Sequence, residues 1–536
     1  MYRLLLFFVL LAQDLRLLNG SPSPCGTTCH GPQLSDIDTF IKSLSGTTLK
    51  PQDPDFNNAT LMQNRRVTKY PGLIVFVNDV QDVQKSVRFA KQHNLLVAIQ
   101  STGHSYIGRS TVSGGLLINL SMMRGIKVNL NSTRCASGEI SVESGNTWGL
   151  VYQEVDKYQR VIVGGSDPSV GMGGYSQGGG HSPLSTSLGL AVDHLLEVTL
   201  VTADGKMVTT SAKGTKIYEE SGAVTETTNS DLFWALRGGG GGTWGVVVTF
   251  TFKLHPAPSG FLQAYAIYPM FVKKTAPGVK VLKTVYQLLK SMSPGWGGYM
   301  LFNDAPLDAT MTNFGTVTIS LVHYGAYTPQ LEDEAKMLLE KIGMPPFASG
   351  LVNRTNFWDY EKNVKPDTGG YRIYLFNSLL QDDTDYDGMV DTLVTQLVTP
   401  PYGSEMFCTD TILGGAMRSQ PKDATSINPG FRSASHSLSC ALVWGDTKLD
   451  DAASKAGLKN GDQLKGFGGG IYFNEPTEDV TDWKAEFWGD NYNRLLSIKQ
   501  KWDPDNLFTC EKCVGSDIHT KQYCPFCTNQ KQNMIG

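Results

Sequence analysis

A run of small polar residues around one histidine is the segment of this sequence best suited to chemistry. It reads Gln100-Ser-Thr-Gly-His104-Ser-Tyr-Ile-Gly-Arg-Ser110 and follows an apolar run that predicts a strand. The hydroxyls suited to bind phosphate are those of Ser101, Thr102, Ser105 and Ser110, and Gly103 lets a ligand approach the backbone. A structural loop with a satisfied histidine is the competing interpretation of His104.

Two glycine clusters explain an unusual composition. Glycine makes up 57 of 536 residues, above the usual share of about 7%. Nine of them lie in residues 164–189 and six in residues 238–245. Bare backbone at this density is typical of segments whose N–H groups approach a flat or charged ligand.

Two short motifs inside these clusters lack the context that they need. Residues 240–245 fit the dinucleotide fingerprint GxGxxG, but the pattern predicts a helix before them and a strand after them, the reverse of the required order. Residues 174–178 fit the GxSxG elbow of hydrolases, but the residues before Ser176 are too rich in glycine for the strand that leads into an elbow. A serine hydrolase using Ser176 is therefore an unfavoured alternative.

The N-terminal segment predicts a secreted protein, and the charge balance bears on its partners. Arg3 precedes the apolar run 4–12, which is typical of a signal peptide cleaved near Gly20. No later run reaches the roughly 18 apolar residues of a membrane span. The 46 basic and 50 acidic residues are too balanced for a nucleic-acid partner. Secretion, with the endomembrane lumen as the alternative, is the expectation.

Four N-glycosylation sequons follow the predicted signal peptide. Asn58, Asn131 and Asn353 are expected to carry glycans. Asn119 lies inside an apolar run, and we expect it to be buried and unmodified.

The nine cysteines favour disulfides over a metal. An odd number leaves at least one cysteine free or paired with another chain. Cys510-x2-Cys513 and Cys524-x2-Cys527 match a zinc ribbon superficially, but oxidation competes with metal binding in a secreted chain. We predict disulfides and no metal site, and the connectivity stays open.

Apolar periodicity places these segments on α+β elements. The first half begins with a strand over 72–77, a helix over 80–90 and a strand over 95–99, a β-α-β unit that predicts a parallel pair. The other strands expected there are 116–120, 126–130, 140–143, 196–202, 207–210 and 246–254, and the other helices are 148–155 and 231–237. Asp204-Gly205 predicts a hairpin.

The second half alternates in another way. Predicted helices over 279–292, 331–342 and 389–397 alternate with strands over 317–323, 371–376 and 437–444. This order indicates a sheet with helices on one face. A last helix is predicted over 484–502, before Pro504.

Three blocks of sequence carry a resemblance to a known family. The Gly-His loop, the PxVGxGG…GGGHS block at 168–182 and the RGGGGGTWGVV block at 237–247 resemble the FAD-binding domain of the vanillyl-alcohol oxidase and p-cresol methylhydroxylase family. Residues 487–508 resemble the C-terminal segment of berberine bridge enzymes. The resemblance implies an FAD-dependent oxidoreductase of α+β class, with a two-part FAD-binding domain (β-α-β unit plus mixed sheet) and an α+β substrate domain.

The expected organisation follows from these blocks. It comprises a signal peptide (1–20), an N-terminal segment (21–66), the FAD-binding domain (67–257), the substrate domain (258–470), a berberine-bridge-like segment returning to the FAD domain (471–510) and a Cys-rich tail (511–536).

The resemblance implies that FAD is bonded covalently to His104. Many relatives add a second bond from a cysteine, but Asp167 stands at that position here, so we predict a single link through His104. The other implied cofactor contacts are Ser101, Thr102, Gly103, Ser105, Ser110, Asp167, Gly171, Gly173, Gly174, Gly178, Gly179, Gly180, Val247 and Asn474.

The resemblance also implies an oxidase acting on an alcohol, a sugar or a similar small molecule. Val170 matches the position that governs oxygen access to the flavin, and valine there goes with O₂ as acceptor and H₂O₂ as product. Tyr472 is the first candidate for the general base and Glu475 the second. His436, Asp410 and Glu405 stay open as alternatives.

A non-catalytic secreted glycoprotein on a degenerate scaffold is the remaining alternative. It is motivated by Asp167, by the Cys-rich tail and by Leu188, which replaces an active-site tyrosine of many berberine-bridge relatives.

Overall fold

The computed structural model describes residues 31–272, 275–303, 315–518 and 523–526. The predicted signal peptide and Cys25, Cys29 and Cys527 lie outside the described residues. Within the described ranges, no helix has the length and apolarity to cross a membrane.

A mostly parallel sheet carries the Gly-His loop. The first elements are α1 (Leu34–Ser43), β1 (Thr47–Leu49), α2 (Phe56–Ala59), β2 (Leu73–Phe76), α3 (Val80–Gln92), β3 (Val97–Gln100) and β4 (Leu116–Asn119). The strand order is β1-β2-β4-β3, with β1 antiparallel and the others parallel. Helix α3 forms as predicted, since Asp79 caps its first turn and Val83, Val87 and Ala90 bury one face.

The predicted adjacent pairing of β2 and β3 is wrong. Strand β4 lies between them. All four of its residues are buried, and a strand buried on both faces belongs in the middle of a parallel sheet.

An antiparallel sheet forms the second part of the first half of the chain, the half that contains the Gly-His loop and both glycine clusters. Its region contains β5 (Ile126–Asn129), β6 (Glu139–Glu143), α4 (Trp148–Asp156), β7 (Arg160–Val161), α5 (Met172–Gln177), α6 (Ser185–Leu188), β8 (Leu195–Val201), β9 (Met207–Ser211), β10 (Gly214–Tyr218), β11 (Val224–Thr227), α7 (Asp231–Ala235), β12 (Val246–Lys253) and β13 (His255–Pro256). Seven strands pair in the order β11-β10-β9-β8-β12-β6-β5. The predicted hairpin joins β8 to β9, with Gly205 at φ 78°. Residues 240–245 follow α7 and precede β12, so the fingerprint context is inverted, as predicted.

A third, antiparallel sheet forms the second half. Its region contains β14 (Phe261–Pro269), α8 (Pro277–Leu289), β15 (Trp296–Asn303), β16 (Thr316–His323), α9 (Pro329–Lys341), β17 (Ala348–Arg354), α10 (Phe357–Glu361), β18 (Arg372–Leu380), α11 (Tyr386–Leu397), β19 (Ser404–Ile412), α12 (Pro429–Ser433), β20 (His436–Trp444) and α13 (Asp450–Lys465). The order is β17-β14-β16-β15-β19-β20-β18.

The side-chain alternation of this sheet separates a core from a cavity. On β15, Met300 and Phe302 pack with residues of α8, α9, α11 and α13, whereas Tyr299 and Leu301 line the cavity described below. Strands β19 and β20 alternate in the same way. The predicted α+β class, with helices on one face of the second-half sheet, is confirmed.

Several elements of the second half were missed by the sequence prediction. Helix α13 carries little apolar periodicity because Gly457 and Gly461, rather than large side chains, face Tyr374 and Phe376. Strands β14, β15, β17 and β19 were also not predicted.

The predicted last helix is interrupted. Helix α14 (Trp483–Trp488) ends at Gly489, whose φ is 51°, and α15 (Tyr492–Trp502) follows after a single 3-10 turn. A left-handed residue cannot continue an α-helix, so the predicted span divides into two.

Disulfides tie neighbouring segments, as the cysteine content predicted. Cys510 bonds Cys513, and Cys408 bonds its cross-strand neighbour Cys440 on β20. Cys524 is disulfide-bonded as well. Cys135 has a free thiol.

Candidate functional site

A cavity of about 540 Å³ lies between the two sheets of the first half of the chain and the third sheet. Its walls come from the Gly-His loop, from both glycine clusters, from residues 472–475 and from the strands β15, β16, β18, β19 and β20. Three distant parts of the chain that the sequence singled out therefore meet at one place.

Most of the predicted site residues line this cavity. They are Ser101, Thr102, Gly103, His104, Ser105, Ser110, Asp167, Val170, Gly171, Gly173, Gly174, Val247, Tyr472, Asn474 and Glu475.

Gly178, Gly179 and Gly180 do not line the cavity, contrary to the prediction. A Cβ on Gly178 would stand 2.1 Å from Asn474 Oδ1, and one on Gly180 would stand 2.5 Å from the Tyr175 ring. Gly179 and Gly180 also have φ values of 122° and 74°. Packing against protein and left-handed backbone explain these glycines.

Gly174 leaves real space for a ligand. A Cβ built on Gly174 meets no atom within 4 Å, although this residue sits in α5 with ordinary helical backbone. Gly241 and Gly242 also line the cavity, but a Cβ on either would make a tight contact of 3.3 Å with a neighbouring side chain, and Gly242 has φ 78°. These three residues present bare backbone to the cavity, as a cofactor cradle requires.

Four polar side chains of the cavity wall have a buried atom without a hydrogen-bond partner among the described residues. The atoms are Thr102 Oγ1, Arg109 Nη2, Gln177 Oε1 and His181 Nδ1. Buried polar groups are nearly always satisfied, so this concentration indicates a ligand rich in donors and acceptors. FAD, with its diphosphate and its isoalloxazine, fits that requirement.

Arg109 places a positive charge on the cavity wall. Its guanidinium stacks 3.8 Å from the centre of the Phe473 ring, and Nη1 donates to Phe473 O over 2.6 Å. Burial lowers the pKa of Arg109 to about 9, against the opposing effect of Glu511. The group therefore stays cationic at neutral pH and suits a phosphate.

The Gly-His loop is held by its own serines. Ser101 Oγ donates to Ser144 O over 2.6 Å, and Ser105 Oγ accepts from Arg109 N over 2.9 Å. Gly103 adopts φ 79°. These bonds fix the loop so that His104 lies at the cavity.

His104 is buried beside two acidic residues. Burial lowers the pKa of His104, and the charges of Asp167 and Asp367 oppose that shift only in part. The imidazole is therefore neutral at neutral pH, the form that acts as a nucleophile.

Glu475 and His181 form a pair inside the cavity. Glu475 Oε1 lies 3.1 Å from His181 Nε2, and Ser439 Oγ donates to the other oxygen. Burial alone raises the pKa of Glu475, but the charge of His181 and the hydrogen bonds from His181 and Ser439 outweigh burial and hold the pKa below its ordinary value. Glu475 is thus an ionised carboxylate in the cavity wall.

Tyr472 is placed less well to act as a base. Its hydroxyl oxygen accepts from Gly180 N over 3.1 Å and from Asn474 Nδ2 over 2.8 Å. Burial, helped by the charge of Glu475, raises its pKa well above the ordinary value. The geometry therefore reverses the order of the two predicted candidates and favours Glu475.

The remaining candidate bases and the candidate nucleophile lie away from the cavity. Asp410 belongs to the helix-facing side of β19, where it accepts from Tyr286 and lies 3.0 Å from His436. Glu405 is exposed. Ser176 is fully buried in α5, outside the cavity wall, so it cannot serve as an elbow nucleophile.

The part of the wall contributed by the third sheet is uncharged. Its apolar and aromatic members are Tyr299, Leu301, Leu375, Phe407 and Ala441, and its hydroxyl members are Ser320, Thr409, Thr411 and Ser439; Tyr360 of α10 and the following Val364 also line the cavity. Glu475 is the acidic group beside this surface.

The sequence prediction missed His181, Ser439 and Arg109 as site residues. His181 directly follows Gly180 in a block already singled out, and Arg109 closes the Gly-His loop, so both had a positional signal. Ser439 had none, because its role depends on the alternation of β20.

Two family models match parts of this chain. The model of the FAD binding domain family matches residues 71–211, and the model described as berberine and berberine like matches residues 471–515.

Relatives match over most of the chain. An uncharacterized FAD-linked oxidoreductase of Arthroderma benhamiae is 30% identical over 464 residues, which cover 84% of this chain and 78% of the relative. The VAO-type flavoprotein oxidase VAO615 of Thermothelomyces thermophilus is 30% identical over 473 residues, covering 84% and 77%.

A solved structure shares the fold. The glucooligosaccharide oxidase of Acremonium strictum, studied for its 6-S-cysteinyl, 8α-N1-histidyl FAD, superposes with a TM-score of 0.73 at 20% identity, over 90% of this chain and 99% of that one.

Proposed function

This chain belongs to the FAD-linked oxidoreductases of vanillyl-alcohol oxidase and berberine bridge enzyme type, and we propose that it is a secreted oxidase with FAD bonded to His104. In this proposal Glu475 accepts a proton from the substrate and O₂ is the electron acceptor. The observation that carries the proposal is the meeting of His104, the bare glycines and the Glu475–His181 pair in one cavity.

The residues that would hold FAD are those of the glycine cradle and the Gly-His loop, with Arg109 as the cation for phosphate. When bound, FAD supplies a two-electron acceptor for a hydride from the substrate. Asp167 cannot form a thioether, which supports a single covalent link. The glucooligosaccharide oxidase, by contrast, is described with both a cysteinyl and a histidyl link.

Proton transfer falls to Glu475. Its Oε1 is bound by His181 and its Oε2 by Ser439, so the carboxylate is oriented before a substrate arrives. A carboxylate has further lone pairs, and one of these can take a hydroxyl proton while the hydride leaves from carbon. The Glu475–His181 pair in the cavity argues against the alternative of a degenerate, non-catalytic scaffold.

The substrate is proposed to be an uncharged alcohol, sugar or similar small molecule. The third-sheet wall offers aromatic and aliphatic surface together with hydroxyls, but no basic residue to bind an anion. A substrate carboxylate or phosphate beside Glu475 would also be repelled.

Val170 provides a test of the oxygen acceptor. It lines the cavity, and an added methylene in a packed wall costs about 1–3 kcal/mol. We expect V170L to slow reoxidation by O₂ at least about tenfold and to leave flavin reduction unchanged. Stopped-flow mixing of dithionite-reduced enzyme with O₂ measures reoxidation without a substrate. Equal reoxidation rates in V170L and wild type would contradict a role of Val170 in oxygen access.

The pH dependence of kcat/KM tests whether Glu475 is the general base. Because the pKa of Glu475 lies below its ordinary value of 4.5, its ionised form persists as the pH falls and is lost only below that value. We expect kcat/KM to fall on the acid side below about pH 4.5, and this acid limb to disappear in E475Q. An acid limb near pH 6.5, the usual value of histidine, would assign the proton transfer to another group.

Secretion and glycosylation form part of the proposal. Asn58, Asn131 and Asn353 are exposed, whereas Asn119 is buried and donates to Gln100 Oε1 over 2.8 Å. These positions support glycans on the first three sites only, and glycopeptide mass spectrometry of the secreted protein would test each site.

The overall proposal is tested by colour and by peroxide. We expect purified protein to show a flavin absorption band and to produce H₂O₂ with members of a panel of neutral alcohols, sugars and aromatic alcohols. Flavin reduction by a substrate without peroxide would refute the oxidase assignment, and a colourless folded protein would refute FAD binding.

A further inference from the structure

A chain of hydrogen bonds ends on His104 and has no part in the oxidation proposed above. His104 Nε2 lies 3.1 Å from Ser169 Oγ, and Ser169 Oγ lies 2.6 Å from Asp167 Oδ1. Both oxygens of Asp167 are bound, because Oδ1 also accepts from Ser169 N over 2.8 Å and Oδ2 accepts from Asp367 N over 3.1 Å. The carboxylate is therefore held at the Ser169 hydroxyl, which links it to the imidazole.

The hydrogen bonds determine which imidazole nitrogen carries the proton. Ser169 has one hydroxyl proton and two acceptors in reach, Asp167 Oδ1 at 2.6 Å and Asp367 O at 3.2 Å. A hydroxyl prefers the shorter bond to an ionised carboxylate. With its proton used there, Ser169 Oγ can only accept from His104, so Nε2 carries the hydrogen and Nδ1 keeps a free lone pair.

We propose that Asp167 and Ser169 are positioning residues for the covalent attachment of FAD to His104 through Nδ1. The inference rests on the proposed covalent link and extends it to residues that activate the histidine. Asp167, which stands where many relatives have a second linking cysteine, thus acquires a role in forming the remaining bond.

Covalent attachment of FAD is a two-electron oxidation, and its atoms and electrons balance with O₂ as the oxidant. A C–N bond forms between His104 Nδ1 and the 8α carbon of FAD, while one C–H bond of that methyl group and the Nε2–H bond break. The Nε2 proton passes to Ser169 as Ser169 passes its own proton to Asp167. The two electrons released, with the two protons, reduce one O₂ to H₂O₂.

A purely structural role of Asp167 makes a different prediction. If its bonds only closed the turn around Pro168, loss of the Ser169 hydroxyl would change stability but not the fraction of flavin that is covalently bound. The covalent fraction therefore separates the two interpretations.

The test compares S169A, S169T, D167N and H104A in the full-length chain. Each variant and the wild type are produced without flavin, purified and then mixed with FAD and O₂, and the covalent fraction is followed over time by acid precipitation and intact mass, with native absorbance giving total bound flavin. We expect S169A to bind FAD but to form the link about a hundredfold more slowly, the lower range for loss of a positioned proton acceptor. S169T should restore the rate, D167N should be intermediate, and H104A should form no link.

The outcomes are distinguishable. Wild-type rates and wild-type covalent fractions in both S169A and D167N, with H104A unlinked, would overturn the relay and leave the proposed function standing. A covalent link in H104A would refute the proposed attachment site itself.

Discussion

Replacing Glu475 by glutamine lowers kcat about 10²- to 10⁴-fold, the range for loss of a positioned general base, and leaves the flavin spectrum and content unchanged. The amide retains the shape of the carboxylate: its oxygen can accept from His181 and its NH2 can donate to Ser439 Oγ, but the amide cannot accept the substrate proton. The measurement is peroxide formation with the best substrate of the panel, normalised to bound flavin.

A second buried carboxyl gives the matched control for E475Q. Glu361 bonds Ser166 just behind the cavity wall, and burial raises its pKa well above the ordinary value. Glu361 lies outside the cavity wall and burial favours its neutral form, so E361Q should turn over at the wild-type rate. Turnover by E475Q within a few-fold of wild type, with Y472F inactive, would return the role of base to Tyr472.

Replacing Gly174 by leucine strongly weakens FAD binding. The new side chain starts from a Cβ with no neighbour within 4 Å and extends into the space that the cofactor needs. Each 1.4 kcal/mol of clash lowers affinity about tenfold, and overpacking typically costs about 1–3 kcal/mol, so we expect a ten- to hundredfold loss of flavin per protein, measured from absorbance after gel filtration.

Gly445 serves as the matched control for Gly174. A Cβ there also has no neighbour within 4 Å, its φ is not left-handed, and it lies outside the cavity. G445L should keep full flavin content, and, compared in an H104A background from which non-covalent flavin can be removed, G174L and G445L should unfold at the same denaturant concentration as flavin-free H104A. Full flavin content in G174L would contradict the position assigned to the cofactor.

The sequence was sufficient to locate the cofactor side of the cavity because that side is built locally. The Gly-His loop follows a strand at the edge where ligands bind, and its hydroxyls and glycine are adjacent in the chain. The glycine clusters were also visible. What the sequence did not distinguish was a glycine needed for a ligand, such as Gly174, from one needed for packing, such as Gly178, because only the neighbouring Asn474 side chain decides between them.

The substrate side could not be predicted in the same way. Glu475 and His181 are 294 residues apart in the chain and meet only in the folded protein. Ser439 and Asp410 lie on neighbouring strands of the third sheet, yet one faces the cavity and the other the helices. That difference depends on the register of β19 and β20, and β19 was not recognised as a strand.

The covalent link between FAD and His104 can be tested directly, without a substrate. Wild-type protein is precipitated with acid, and flavin is measured in the pellet and the supernatant, followed by mass spectrometry of proteolytic peptides. If His104 carries the single covalent link, the flavin stays in the pellet and the peptide containing His104 carries the mass of FAD, with no flavin on the peptide containing Asp167. Release of all flavin into the supernatant would contradict a covalent link.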